Sequence, residues 1–219
     1  MLMPEFGANP SAVKATSSRE RILLAAKHLF ARNGYENTST VAIAREAGTS
    51  ESQLMKHFGS KQGLLSAILD RGWTKIIDRV QTLHGQGPAA DRLYGMLEAI
   101  VIELENDQEL KDLMTLEARR VRKDSRDVLV GRGYQQFAEL MSVVLSQMRA
   151  QAQIRADLNL DAVRSALIGM VESLLRDQVA AKRSDLRAGY SFDDVKRLLE
   201  VLLPALAGET EQPLKFANG

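Results

Sequence analysis

Apolar residues recur at three- and four-residue intervals along most of the chain, and this periodicity limits the kinds of fold that the sequence can adopt. The first clear case is the set Ile22, Leu23, Ala26, Leu29 and Phe30, which lies on one face of an amphipathic helix. No segment of strand length alternates apolar and polar residues with enrichment in β-branched side chains. The sequence therefore predicts an all-α protein.

Glycine, proline and serine mark the ends of the predicted helices. Gly34 and Gly48 end the first two, Ser60 caps the fourth, and the run Gly85–Pro88 is the clearest break in the chain. Gly72 is predicted to be a weak point inside the fourth helix. Later caps are predicted at Asp161 and Ser191, and Pro204 at the end of the last helix. The predicted helices span residues 18–33, 39–46, 50–56, 60–84, 89–105, 108–123, 124–153, 161–182 and 191–207.

Composition excludes several classes of site. The chain has no cysteine, which excludes disulfides, zinc ribbons, thiolate nucleophiles and iron–sulfur clusters. With three histidines, His28, His57 and His84, we expect no multi-histidine metal site and no cofactor. No apolar run is long enough to span a membrane. Residues 1–16 lack the pattern of a signal peptide and are predicted to form a flexible leader, as residues 208–219 form a flexible tail, so we expect a cytoplasmic protein.

Charge is distributed unevenly along the chain, whose total is +1. Residues 1–79 contain eleven lysines and arginines against seven acidic residues, whereas residues 80–219 contain eighteen against twenty-one. A mildly basic N-terminal part on an acidic remainder suggests a small head that binds a polyanion.

Residues 39–58 have the pattern of a helix-turn-helix. Ala44 is small where two helices would cross, and Gly48 suits a positive φ in the turn. Val41, Ile43, Ala44 and Ala47 are predicted to face inward from the second helix, and Leu54 and Phe58 to complete the buried seam. The other residues of 50–57 are short or polar, as expected of a helix that enters a major groove. A plain helical hairpin with a solvated polar face remains the alternative.

The run over residues 21–65 resembles the N-terminal domain of the TetR family of transcriptional regulators. It follows the family order of an AAxxLFxxxGY segment, IAxxAG, a short helix ending in HF, and SK before a leucine-rich helix. The dense resemblance covers about a fifth of the chain, and the remainder resembles the family in helicity and length alone. This sequence departs from the family pattern at four positions. In place of Met55 the family usually has a tyrosine, which commonly touches a phosphate. It often has valine in place of Thr49, and glycine or threonine in place of Ser52 and Gln53. The matching residues are Ala25, Ala26, Leu29, Phe30, Gly34, Tyr35, Thr38, Ser39, Ile43, Ala44, Ala47, Gly48, Leu54, His57, Phe58, Ser60, Lys61 and Leu64.

The resemblance implies a DNA-binding domain over residues 17–61 and a regulatory domain over residues 62–207. Lys61, at the start of the fourth helix, is expected to hold a DNA phosphate. Ser39 or Thr40 would do the same at the second helix, in addition to capping it, and His57 would contact the DNA backbone or a nearby base.

Base readout is assigned to the third helix. Gln53 can pair with adenine, Lys56 with guanine or a phosphate, and Glu51 with cytosine, although a solvated role for Glu51 is the alternative. Lys27 and Arg45 are expected to face solvent. The full predicted DNA-binding set is Ser39, Thr40, Ser50, Glu51, Ser52, Gln53, Lys56, His57 and Lys61.

The regulatory domain of the family binds a small molecule and dimerises through its last two long helices. Small residues such as Ala166 and Gly169 would permit close approach across a two-fold axis. The alternative is that the apolar faces of these helices pack within one subunit. The predicted dimer interface comprises Val163, Leu167, Met170, Leu174, Val195, Leu199 and Leu202.

An apolar ligand pocket is one interpretation of a set of methionines and aromatic residues, although such residues at helical spacing more often form an ordinary core. The basic run 117–123 is either a site for an anionic head group or a solvated helix face. The predicted pocket residues are Trp73, Met96, Met114, Tyr134, Phe137 and Met141.

Motif searches favour a regulator over an enzyme. The chain contains no GxSxG, P-loop, GxGxxG or HExxH motif, so we expect no catalysis. An all-α ligand carrier without a DNA role is the other alternative. The sequence predicts a homodimeric, ligand-responsive regulator of transcription, a repressor in most of the family. Its partners would be a pseudo-palindromic operator, a second copy of the chain and an unidentified small molecule, and not a membrane.

Overall fold

The computed structural model describes residues 17–84, 87–116, 131–184 and 189–206, and these ranges contain helices and no strand. The all-α prediction is therefore confirmed. The helices are α1 (Ser18–Asn33), α2 (Thr40–Glu46), α3 (Glu51–Phe58), α4 (Lys61–His84), α5 (Ala89–Asn106), α6 (Gln108–Leu116), α7 (Arg132–Ala150), α8 (Leu160–Arg183) and α9 (Phe192–Ala205).

Serine side chains cap the first three helices of the chain. The hydroxyl oxygens of Ser17, Ser39 and Ser50 each accept a hydrogen bond from the backbone N–H three residues later, at 3.1–3.2 Å. Ser191 caps α9 in the same way. The predicted cap at Asp161 is wrong, because Oδ1 of Asn159 accepts from the N–H of Ala162 at 3.0 Å.

The later helix ends differ in detail from the prediction. Helix α7 stops at Ala150 rather than at residue 153, because Ala152 adopts the left-handed conformation with a φ of 56°. Pro204 lies inside the last turn of α9, which ends one residue later. The predicted leader (1–16), basic run (117–123) and tail (208–219) lie outside the described residues, as does the predicted boundary between helices at residues 123–124.

Gly72 is a close-packing position rather than the weak point that helix propensity predicts. A Cβ atom at Gly72 would lie 2.8 Å from Cδ1 of Leu110 and 3.2 Å from Sδ of Met114. The side chains of Leu110 and Met114 in α6 therefore lie directly against the middle of α4, which runs from the N-terminal helices α1–α3 into the larger group of helices α5–α9. The buried side chains form one continuous core from Ile22 in α1 to Leu199 in α9.

Helix α1 is also tied to the start of α6 by charged side chains. Nζ of Lys27 lies 2.7 Å from Oδ1 of Asp107 and 3.4 Å from Oε2 of Glu109. Nδ1 of His28 lies 2.7 Å from the other Glu109 oxygen. The prediction that Lys27 faces solvent is therefore wrong, because the carboxylates that pair with it are about 80 residues away in sequence. Arg45 is exposed, as predicted.

Asp107 is the centre of this connection. Burial favours a raised pKa for its carboxyl group, but hydrogen bonds from Lys27 and from the N–H of Leu110 outweigh that effect. The positive charges of Lys27 and Lys75 act in the same direction as the hydrogen bonds, so the pKa of Asp107 lies below its ordinary value. The carboxylate is consequently charged at neutral pH and holds α1 against the loop between α5 and α6.

Candidate nucleic-acid interface

Helices α2 and α3 form the predicted helix-turn-helix. Gly48 lies in the turn with a φ of 61°, a conformation that glycine adopts without strain. Ile43, Ala44 and Leu54 are buried and hold the two helices against the core. Val41 departs from the prediction that it faces inward, because 60% of its surface is exposed.

Helix α3 turns its polar residues outward. Leu54 is completely buried, while the polar residues of 50–57 are all exposed. The predicted DNA-contacting side chains of residues 50–57 are thus all accessible from solvent. These exposed residues are Ser50, Glu51, Ser52, Gln53, Lys56 and His57.

Contacts within residues 17–61, here called the head, hold α3 on two sides. On one side, the hydroxyl of Thr40 donates a hydrogen bond to the carboxylate of Glu51. On the other side, Nε2 of His57 lies 3.2 Å from Oγ of Ser18, and Arg19 lies over the ring of Phe58 at 5.2 Å. These contacts orient α3 relative to α1 and α2 before any ligand binds.

Gln53 and Thr49 interact next to the helix-turn-helix turn. Oγ1 of Thr49 donates to Oε1 of Gln53 at 3.3 Å, which orients the amide at the start of α3. An amide held in this way presents a donor and an acceptor in a fixed order, as a contact with adenine requires. Thr49, where the family often has valine, therefore has a role that the sequence pattern does not reveal.

Lys61, the predicted phosphate ligand, lies at the start of α4 beside the loop between α1 and α2. Its Nζ atom lies 4.3 Å from the centre of the Tyr35 ring and donates to the carbonyl of Glu36 at 3.3 Å. Tyr35 is buried and packs on Phe30 with ring centres 5.1 Å apart. Tyr35 therefore belongs to the core of the head, and its ring restrains the ammonium group of Lys61.

Two of the predicted ligand residues, Tyr134 and Phe137, pack directly against a third, Trp73. The ring of Trp73 lies 5.4 Å from that of Tyr134 and 5.1 Å from that of Phe137. Met96 and Met141 are buried in the same core, and Met114 lies against Gly72. This packing matches the alternative of an ordinary core, so a ligand at this cluster would have to displace side chains.

A small cavity lies between α1, α4 and α6, beside the charged connection. Its volume is about 60 Å³, below the 300 Å³ or more of typical small-molecule sites. Leu24, Ile68 and Leu110 supply apolar walls, and Lys27, Arg71, Lys75 and Asp107 supply charged ones.

Most residues of the predicted dimer interface pack on the core of their own subunit. Val163, Leu167, Val195 and Leu199 are buried within their own subunit and belong to its core. Met170 and Leu174 are half-buried against the same core, and Leu202 is exposed. The reason is geometric, because α8 and α9 use their most apolar faces to pack on the remaining helices of the subunit.

The faces of α8 and α9 that point away from the core of the subunit carry small residues on α8 and larger apolar residues on α9. Ala162, Ser165 and Ala166 are exposed on α8, and a Cβ atom at Gly169 would meet nothing within 4 Å. On α9, Val201 is 71% exposed, with Leu198 and Leu202 beside it on the surface. In the sequence, Leu198 and Val201 resemble the buried apolar residues of α9. Only a comparison of the two sides of that helix could have identified them as exposed.

Comparisons with known proteins agree with this architecture. The family model for bacterial regulatory proteins of the tetR family matches residues 22–68. The nucleoid occlusion factor SlmA of Photobacterium profundum is 27% identical over 87% of this chain and 97% of its own length. The HTH-type transcriptional repressor AcnR of Corynebacterium glutamicum is 23% identical over 86% of this chain and 92% of its own.

Solved structures show the same fold over most of the chain. The fatty acid degradation regulator FadR of Bacillus halodurans superposes with a TM-score of 0.73 at 17% identity, covering 91% of this chain and all of its own. FadR of Bacillus subtilis, solved in complex with stearoyl-CoA, gives 0.70 at 18% identity, covering 87% and 98%.

Two further findings concern the described ranges as a whole. None of their helices combines the length and the apolar character needed to cross a membrane. Within the same ranges, no three histidine or acidic side chains are grouped so that they could hold a metal ion.

Proposed function

We propose a function on the premise that this chain belongs to the TetR family of transcriptional regulators. In this function the protein binds a pseudo-palindromic operator as a homodimer and represses transcription there. It leaves the DNA when a small molecule binds to the larger group of helices. The observation that carries this proposal is helix α3, which is anchored by one buried leucine, Leu54, and exposes every polar side chain.

In this proposal α3 lies in the major groove and the flanking residues bind the backbone. Gln53 and Lys56 read base edges, because an amide pairs with adenine and an ammonium group donates to guanine. Ser39 and Lys61 contact phosphates on either side. Lys61 already has partners in the free protein. Because an ammonium group has three hydrogen atoms to donate, Lys61 can contact a phosphate oxygen while it keeps its hydrogen bond to the Glu36 carbonyl.

The homodimer is proposed to form through the outward faces of α8 and α9. Small side chains on α8, such as Ala166, allow helix backbones to approach closely, and Val201 and its exposed neighbours on α9 supply apolar surface. A two-fold axis between these faces repeats α3 in the second subunit. Two recognition helices about 34 Å apart then meet successive major grooves, which accounts for a pseudo-palindromic operator.

The effector is proposed to be a small molecule with an apolar chain that opens the cluster around Trp73. Helix α4 connects this cluster directly with Lys61 at the head, so a displacement of Trp73 changes the separation of the two heads. Because a structural neighbour was solved with stearoyl-CoA, long-chain acyl-CoA thioesters are the first compounds to test. Trp73 is the only tryptophan of the chain, so its fluorescence reports binding at this cluster directly.

The decisive experiment is a titration of the purified protein onto the intergenic DNA upstream of its own gene at several salt concentrations. Random duplex of equal length is the control. We expect tighter binding to the upstream fragment, and a log–log salt slope of roughly −5 if the dimer makes about six phosphate contacts. A salt response close to flat on both duplexes would refute the proposal and favour a ligand carrier without a DNA role.

A further inference from the structure

Two large apolar side chains are exposed on the helix-turn-helix itself. Val41 at the start of α2 is 60% exposed, and Met55 in the middle of α3 is 43% exposed. Single exposed apolar residues are common on protein surfaces and by themselves indicate nothing. The position of this pair on the recognition surface is what distinguishes it.

Met55 lies on the side of α3 that contacts the start of α2, where Val41 is located. Met55 is one helical turn after Glu51, so the two share a stripe on the surface of α3. The carboxylate of Glu51 accepts a hydrogen bond from the hydroxyl of Thr40, which brings the first turn of α2 against this stripe. Val41 follows Thr40 directly. His57, which lies two residues after Met55, contacts α1 through Ser18 on the other side of the helix.

The seam between α2 and α3 therefore exposes apolar groups beside the polar side chains of the recognition helix. The edges of base pairs in the major groove offer hydrogen-bonding groups and one apolar group, the C5-methyl of thymine. Valine and methionine have no side-chain hydrogen to donate to a base edge, and they gain free energy when an apolar group covers them. Their chemistry thus matches the thymine methyl and no other base substituent.

We propose that Val41 and Met55 contact thymine methyl groups and thereby determine part of the operator sequence. This inference rests on the proposed function, because it needs α3 in a major groove. Each methyl contact is expected to contribute about fourfold in affinity, the value for burial of one CH₂-sized group. Neither residue is charged, so neither alters the salt dependence of binding.

The test begins with selection of bound sequences from a pool of random duplexes by the purified protein. Each thymine of the selected sequence is then replaced singly by deoxyuridine, which removes the methyl group and keeps the hydrogen-bonding edge. For the wild-type protein we expect a loss of about fourfold at the thymines under α2 and α3. Met55→Ala and Val41→Ala should each abolish the difference between thymine and uracil at one of these positions, with the salt slope unchanged.

Leu24→Ala is the matched control, because Leu24 is an exposed apolar residue of the head that lies beside α6 rather than on α3. This variant should discriminate thymine from uracil as the wild type does. A selected sequence that binds equally well with uracil at every position would overturn the inference and leave the proposed function intact. A pool that yields no enriched sequence would overturn both.

Discussion

Replacing Gly133 by alanine tests whether the contact between α4 and α7 is as close as the structure indicates. A Cβ atom at Gly133 would lie 2.5 Å from Cβ of Trp73 and 3.1 Å from the backbone oxygen of Asp70. The N–H of Gly133 also donates to Oδ1 of Asp70 at 3.0 Å. The added methyl group therefore meets atoms that cannot rotate away, so α7 must move and this hydrogen bond must lengthen.

The expected cost follows from two opposing effects. Overpacking of this kind destabilises a protein by about 1–3 kcal/mol. Alanine gains up to about 1 kcal/mol over glycine in a helix interior, but Gly133 is the second residue of α7 and gains less. We expect Gly133→Ala to lower the free energy of unfolding by about 1–2 kcal/mol, equivalent to roughly 2–8 °C in Tm for a chain of this size.

Gly72→Ala is the matched control, since it adds the same methyl group to α4. Its nearest atoms are the two terminal methyl carbons of Leu110, at 2.8 and 3.0 Å, and these can shift by rotation of the side chain. The gain of about 1 kcal/mol in helix propensity applies in full at this interior position. The net change at Gly72 should therefore be close to zero and clearly smaller than at Gly133.

Urea unfolding followed by circular dichroism at a fixed protein concentration measures both variants. Fluorescence of Trp73, the single tryptophan of the chain, gives an independent local measurement. Gly133→Ala should shift the emission to longer wavelength, because the wild-type ring is buried against Tyr134 and Phe137. A Gly133→Ala protein as stable as wild type, with unchanged emission, would refute the argument.

Three further predictions concern the head, the charged connection and the dimer. Lys61→Ala should weaken binding to operator and random DNA alike. Gln53→Ala should instead reduce the free energy of operator binding by about 1–3 kcal/mol through one base position. Equal losses for both variants on both DNAs would contradict these roles. Asp107→Asn should be less stable than wild type at pH 7 in urea unfolding. The pKa of the Asp107 carboxyl group is lower in the folded protein than its ordinary value, so its negative charge stabilises the wild type fully at any pH above that ordinary value. This stabilisation is lost as the pH falls through the folded-state pKa. The difference in stability between wild type and Asp107→Asn should therefore vanish in acid. Val201→Glu should shift the protein to monomers in sedimentation velocity, and an unchanged dimer would exclude α9 from the interface.

The local part of the structure was accessible from sequence because its signals are local. Ser39, Ser50 and Gly48 act within a few residues of their own position, so the caps and the turn of the helix-turn-helix could be placed correctly. The exposure of the polar face of α3 could also be predicted locally, because Leu54 marks the side of this short helix that is buried.

The predictions for Lys27 and Gly72 failed because their partners are distant in sequence. Lys27 looks like a solvated residue until Asp107 is known to lie beside it. Gly72 looks like a weak point until Leu110 is placed against it. The faces of α8 and α9 show why an apolar pattern identifies a buried side but not what covers it: Val163 and Leu199 serve the core of one subunit.

The connection between Lys27 and Asp107 also limits how the DNA specificity of such a protein can be re-engineered. A chimera that exchanges residues 17–61 for the head of another regulator keeps α6 but replaces α1, so Glu109 loses both Lys27 and His28, and Asp107 loses Lys27 and retains the more distant Lys75 at 3.6 Å. Removing the nearest cation from a partly buried carboxylate is costly. Transplantation should therefore carry positions 107 and 109 with the incoming head, which makes the exchangeable module discontinuous in sequence although it is contiguous in space.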